Sequence, residues 1–293
     1  MSASFLEVET LAHWPICGEA KAEAVLTHPD GYIPILHLWR CAVCQSVYLS
    51  PRLTLNSIIA VEDESKVHLY TPELREEQIT GGQTNLIRWL ATYVRTQQRQ
   101  LLDIGCNRGL LLEAARRQGW QVTGVEISPE SANRARNDYH LTVYSTLDEL
   151  EPQKRFDLIT VWHVLEHTLD PVLFIQQAVM RLQPGGILAI QVPSFDFIDE
   201  LRRRDQLSSV ICTVHNFYFT AACLRFILAK AGLDIRYIDN DPNTLFLTII
   251  AEKSLTTVDR LIKARRLIQH GKWRMLQQEM RNYIRWKLSK AQP

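Results

Sequence analysis

The sequence predicts an α/β fold: a mostly parallel sheet covered by helices on both faces, preceded by a small, turn-rich N-terminal module. Two observations carry this. From residue 99 to 253, short apolar runs of strand length alternate with amphipathic runs of helical spacing, the pattern of repeated strand–helix–strand units. Residues 1–60 instead scatter Pro, Gly and three cysteines among short apolar runs, which suits a module built largely of turns.

The elements follow in order. The acidic stretch around Glu62–Glu64 reads as a linker, so 61–98 holds a linker and one helix. That helix follows Thr84, with apolar residues at Leu86, Ile87, Leu90, Tyr93 and Val94. QLLDIG is a buried strand ending on Gly105. Leu110–Gln118 is a helix stopped by Gly119. QVTGVEI is the next strand. Ser128 and Pro129 then open a helix to Asp138, because Ser caps and Pro suits the first turn. FDLITVW is a strand and Pro171–Leu182 a helix, closed by Gln183-Pro184-Gly185-Gly186. ILAIQV, a helix capped by Thr220 and ended by Gly232, then LDIRYID and TLFLTIIA complete the domain. Residues 254–293 form a basic tail with helical apolar spacing.

The chain has 293 residues, nearly half of them apolar, enough for a sizeable core. The net charge is +1, but from Arg260 onward ten Lys/Arg face one acid, Glu279. Subtracting that +9 leaves the rest at about −8, an acidic body with a basic tail. The first residues lack a basic stretch followed by an apolar run, so no secretory signal is expected. No apolar run reaches membrane-spanning length, and six cysteines do not suggest a disulfide scaffold. A cytoplasmic, reducing setting is expected.

The chemistry concentrates where a strand ends in Asp103-Ile104-Gly105 and Cys106-Asn107-Arg108-Gly109 leads into a helix. A ligand at the carboxyl edge of a parallel sheet needs close backbone approach, and glycines at 105 and 109 permit it. Asp103 suits an amino-acid ammonium. Glu126, ending the next strand, suits the two hydroxyls of a ribose. A dinucleotide fold would show G-x-G-x-x-G, with amides turned to a pyrophosphate. This loop reads G-x-x-x-G behind an acid, which favours a zwitterionic amino-acid moiety.

From about Leu101 to Lys253 the chain resembles the class I S-adenosylmethionine-dependent methyltransferases, most closely the branch of ubiquinone-biosynthesis-type O-methyltransferases and related small-molecule enzymes. FDLITVWHVLEHTLDP, LQPGGILAIQVPS and HNFYFTAACLRFILAKAGL resemble three further motifs of that branch. Asn107 stands where the family often has a third glycine. The resemblance implies a Rossmann-like seven-stranded sheet with an antiparallel last strand, and S-adenosylmethionine as cofactor. It places Asp103, Gly105 and Gly109 along the methionine part, with Cys106 in the same loop. Glu126 falls on the ribose, Ile127 beside the adenine, and Thr146 and Leu147 at the adenine edge. Trp162 and His163 fall near the sulfonium.

Methyl transfer to a hydroxyl needs a proton acceptor, and histidine is the natural one near neutral pH. His163, His167 and His215 are the candidates, His163 and His215 preferred, with Tyr218 shaping the acceptor pocket. His163-x-x-Glu166-His167 echoes a metalloprotease zinc motif, but its place after a strand favours Glu166 and His167 as loop-holding groups.

HWPICG…RCAVCQSVYLSPR resembles the zinc-binding module that precedes some methyltransferases, including sugar C-methyltransferases. That module offers four thiolates, the number a closed structural site needs. Here Trp14 occupies the first position. Cys17, Cys41 and Cys44 remain, and His13 is the candidate fourth zinc ligand. A metal-free ribbon packed around Trp14, Trp39 and Tyr48 is the competing reading.

The expected function is methyl transfer from S-adenosylmethionine to a small-molecule or carrier-bound acceptor, with oxygen favoured over carbon. The alternative is a methyltransferase-fold protein without catalysis, acting as a binding or scaffold subunit. The tail's Lys/Arg with Trp273, Tyr283 and Trp286 suits peripheral contact with an anionic membrane, though a helix packed on the acidic body is preferred. No nucleic-acid module is recognised, and the oligomeric state is left open.

Overall fold

The computed structural model describes residues 6–11, 16–18, 22–30, 35–42, 44–65, 76–77, 79–95, 98–203, 205 and 207–253. The candidate ligand His13 and the basic tail lie outside these.

Seven strands form the central sheet: β6 (Gln100–Ile104), β7 (Gln121–Val125), β8 (Val143–Tyr144), β9 (Phe156–Trp162), β10 (Leu182–Pro193), β12 (Leu233–Asp241) and β13 (Phe246–Lys253). Their spatial order is β12-β13-β10-β9-β6-β7-β8. β13 runs antiparallel to both β10 and β12, and the other pairs are parallel. The sheet is therefore the expected one, with its antiparallel last strand.

Successive residues of a strand face opposite sides, so the sheet divides the core in two. On one side Leu102, Ile104, Ile159, Val161, Leu188 and Ile190 pack with helices α5 (Pro171–Met180) and α7 (Ala221–Lys230). On the other, Leu101, Leu158, Ile187 and Ala189 pack with α2 (Thr84–Ala91), α3 (Leu110–Arg117) and α4 (Pro129–Tyr139). The short helix α6 (Ile198–Arg203) follows β10. β9 is buried along nearly its whole length, as a strand covered on both faces must be.

The helix starts follow their capping chemistry. Ser128 Oγ accepts the Ser131 N–H at 3.2 Å, Asp170 Oδ1 those of Val172 and Leu173, and Thr220 Oγ1 that of Cys223 at 3.1 Å. Two expectations change. The acidic residues around 62–64 are not a linker but the end of helix α1 (Leu55–Ser65). Gln183–Gly186 is an irregular start to β10 rather than a helix-closing turn: the pairing with β9 shifts register between Leu182 and Ile187.

The N-terminal part holds β2 (Ala22–Pro29), β3 (Ile35–Cys41) and β4 (Val47–Leu49), with short β1 (Val8–Glu9) and β5 (Arg52–Leu53) paired beside them. The larger sheet has order β11-β4-β3-β2, where β11 is Phe217–Tyr218 from the far end of the sequence. The module is thus joined to the main domain by strand pairing. Among the described residues no helix is long and apolar enough to cross a membrane.

Candidate cofactor and acceptor site

β6 and β9 pair in register, Asp103 opposite Thr160 and Ile104 opposite Val161, so their carboxyl ends open side by side. Asp103 is buried, and Thr160 Oγ1 donates to its Oδ1 at 2.6 Å. Burial raises the Asp103 carboxyl to about 7. The Thr160 hydrogen bond works against that rise, and the nearby Glu126 charge adds to it.

The loop after Asp103 is shaped by φ and by packing together. Gly105 has φ +76°, and a Cβ there would lie 2.2 Å from Val164 Cγ2. Gly109 has φ +81°, and its Cβ would lie 2.4 Å from Leu141 Cδ1. Both glycines are thus demanded by their neighbours as well as by their backbone conformation. Asn107 takes φ 49°, the left-handed geometry that Asn tolerates. Its N–H donates to Glu126 Oε2 at 2.8 Å, while Glu126 Oε1 accepts the Ser128 N–H at 2.8 Å. Glu126 thereby holds the glycine loop from the neighbouring strand end.

Ile127 is 45% exposed, an apolar surface beside Glu126. Thr146 is exposed and Leu147 half-buried at the start of a short 3-10 turn after β8. Cys106 is buried behind the loop, and burial pushes its thiol well up. A carboxylate for an ammonium, a carboxylate for a ribose, a glycine loop between them and an apolar surface alongside fit the methionine, ribose and adenine parts of S-adenosylmethionine.

Beyond β9 the chain turns at His163, φ 53°, and Val164 lies against Gly105. Glu166 follows, 1% exposed. Neither of its carboxylate oxygens has an aligned hydrogen-bond donor among the described residues. His163 Nδ1 stands 3.4 Å from Glu166 Oε1. Carboxylate oxygen and ring nitrogens of Glu166, His167 and His215 lie within 4.8 Å of one another, a donor set that a proton or a divalent cation could occupy. Burial works to raise the Glu166 carboxyl, but His163, His167 and His215 together hold it below its ordinary value.

Each imidazole is held in place. His163 Nε2 meets Gln191 Oε1 at 3.1 Å, and Gln191 in turn donates to Thr248 Oγ1. His167 Nδ1 meets Val214 O at 3.0 Å, and His215 Nδ1 meets Val210 O at 2.6 Å. The His167 and His215 rings cross edge to face, centroids 4.9 Å apart. Asn216, fully buried, ties the two segments: its N–H donates to Glu166 O and its Nδ2 to His167 O. Tyr218 packs with Val47 and Leu49 in the N-terminal module's core with its ring edge to face on His215, and its hydroxyl donates to Cys212 O at 3.2 Å.

Of the candidate residues, Asp103, Gly105, Cys106, Gly109, Glu126 and Ile127 gather at one sheet edge, with Trp162 and His163 adjoining. His163 and His215 meet at Glu166, and the Tyr218 ring meets that of His215 edge to face, centroids 6.2 Å apart. Sequence reasoning missed Thr160, Val164, Gln191 and Asn216. Their partners lie between 28 and 59 positions away in sequence, so no local pattern announces them.

A family model described as a methyltransferase domain matches residues 76–238, more than half of the chain. The chain belongs to that family. By fold it is a class I S-adenosylmethionine-dependent methyltransferase. The ubiquinone biosynthesis O-methyltransferase of Bradyrhizobium diazoefficiens is 34% identical over 97 residues, 31% of this chain and 38% of that protein. Its counterpart in Nitrobacter winogradskyi is 38% identical over 96 residues, 31% of this chain and 37% of that protein. The match thus spans well under half the length of these relatives. Among solved structures, the magnesium protoporphyrin IX methyltransferase of Synechocystis with bound SAH superposes with a TM-score of 0.50 at 15% identity. That superposition covers 68% of this chain and 95% of that one, and it shows a shared fold.

Proposed function

We propose that this methyltransferase moves the methyl group of S-adenosylmethionine to a hydroxyl oxygen of a small or carrier-bound acceptor. The observation that carries the reading is a contact. The glycine loop that suits the cofactor touches, through Val164, the segment where buried Glu166 is ringed by His163, His167 and His215. A cofactor cradle and a proton-accepting cluster thus adjoin at the ends of β6 and β9.

The cofactor supplies a methyl group already activated by its sulfonium. Asp103 and Glu126 would hold its ammonium and ribose, and Ile127 would cover one side of the adenine. What remains for the protein is to orient the acceptor and take its proton. We assign proton acceptance to His215, with His167 beside it and Glu166 stabilising the imidazolium that results. The cofactor would supply its methyl carbon to the acceptor oxygen, its sulfur keeping the electron pair of the broken bond, and the hydroxyl proton would pass to the His215 ring. His163, held at Nε2 by Gln191 and with Nδ1 3.4 Å from Glu166 Oε1, lies against Glu166 and positions it. Tyr218, with its hydroxyl spent on Cys212 O, anchors β11 rather than moving a proton.

Transfer to oxygen is supported by the proton-accepting cluster and by the named activity of the relatives above. The test uses cofactor carrying a 13C-methyl group with a panel of hydroxylated aromatic acceptors. The expected result is a new methyl-ether carbon signal that disappears in His215→Ala. A carbon-bound methyl signal, or full turnover by His215→Ala, would overturn the assignment.

A further inference from the structure

The sulfur atoms of Cys17, Cys41 and Cys44 lie within 4.8 Å of one another, with Cys17 and Cys41 at 3.4 Å. The Cys44 N–H points at Cys41 Sγ at 3.4 Å, a contact that steadies a thiolate. Three soft donors in one half-buried corner suit zinc, but a closed structural site takes four ligands.

Helix α7 passes this corner. Lys230 Nζ donates to the carbonyl of Ile16, the residue before Cys17, at 3.2 Å. Cys223 lies seven residues earlier, two turns along the same helix face. It is 1% exposed and shares a buried cluster with Cys41, against which Cys17 and Cys44 pack. Burial pushes its thiol up, and the thiols of Cys44, Cys17 and Cys41 add to that push, so all four occupy one neighbourhood.

We propose that Cys17, Cys41, Cys44 and Cys223 bind one zinc ion, with the fourth ligand supplied by α7 of the main domain rather than by the N-terminal module. Zn–S bonds of about 2.3 Å place tetrahedral sulfurs roughly 3.8 Å apart. Cys223 is outside the 4.8 Å trio, so binding draws its side chain inward. Four thiols release four protons to solvent, zinc exchanges its waters for four sulfurs, and the site carries a net charge of about −2. Cys223 sits in the first turn of α7, at the helix's positive end, and Lys230 brings a cation to the Ile16 carbonyl beside Cys17. The ion would fasten the module to the main domain a few residues after β11 does so by strand pairing.

The test measures bound metal in full-length protein purified from zinc-supplemented cells, then replaces zinc by cobalt(II) and records the thiolate-to-metal absorption. The expected result is one zinc per chain and an absorption of four-thiolate intensity. In Cys223→Ser about a quarter of that intensity is lost. Zinc affinity then falls by more than the roughly 10–100-fold typical of losing an outer-shell partner. His13→Ala leaves both unchanged. Metal-free wild-type protein, or a three-thiolate spectrum that His13→Ala alters and Cys223→Ser does not, would overturn the proposal. The wild-type cobalt spectrum by itself counts thiolates, so three or four ligands are distinguished even if a variant misfolds.

Discussion

Thr160 donates to Asp103 Oδ1 at 2.6 Å across the β6–β9 seam, a neutral hydroxyl facing a carboxyl that burial has raised to about 7. A ligand ammonium arriving there favours the ionised form, so binding and deprotonation are linked.

Cofactor binding should therefore tighten as pH rises through about 7, with proton release on binding below that value. The ligand-free protein should behave oppositely. Its folded state keeps a proton that the unfolded chain loses near the ordinary value of 3.8, so this group's contribution to stability falls between about 4 and 7 as pH rises. Asp103→Asn should flatten both trends, read by calorimetry in buffers of different ionisation heat and by thermal melts across pH.

Glu126 accepts the Asn107 and Ser128 amides, so its loss both loosens the loop and removes the proposed ribose acceptor. Hydrogen bonds to a charged group are each worth about 1.5–3 kcal/mol, so Glu126→Ala should weaken cofactor binding roughly 100-fold or more. Glu126→Gln, which keeps one acceptor oxygen, should fall between. Fluorescence titration of the three proteins checks the ranking.

Gly105→Ala meets two penalties: a left-handed φ of +76° and overlap with Val164. Left-handed strain in a non-glycine residue costs about 1–3 kcal/mol, and the overlap adds to it. A loss of at least about 2 kcal/mol in urea unfolding is expected from these two terms together. Gly105→Ala with Val164→Ala should recover part of the loss, since the overlap goes but the backbone strain stays.

Glu166 is held below its ordinary value of 4.5 by His163, His167 and His215, despite burial. A depressed carboxyl adds stability above its unfolded value, and that stability is lost as pH falls through the folded one. Glu166→Gln should remove this acid-side loss. It should also lower kcat more than KM, because the proton-accepting ring loses the carboxylate beside it when the transferred proton arrives. An unchanged kcat would assign Glu166 to loop structure alone.

The main sheet was legible because each buried strand is a continuous apolar run and helices carry their own caps, as at Ser128 and Thr220. The shape of the β6 and β7 ends was legible for the same reason: Asp103, Gly105, Gly109 and Glu126 report local backbone needs. Contacts between distant segments were not. β8 is two residues long, too short to show a period. Phe217–Tyr218 joins the N-terminal sheet by pairing with Tyr48 and Val47, which no local pattern encodes. Asn216 holds Glu166 and His167 from a separate segment, and Cys223 looks like an ordinary core residue of an amphipathic helix until α7 is seen beside Cys17.

The central claim is that the Asp103–Gly105–Glu126 edge binds S-adenosylmethionine, and calorimetric titration of the purified protein tests it most directly. Saturable micromolar binding at one site per chain is expected, lost in Asp103→Ala and in Glu126→Ala. No heat of binding from well-folded wild-type protein, or equal binding by both variants, would contradict it.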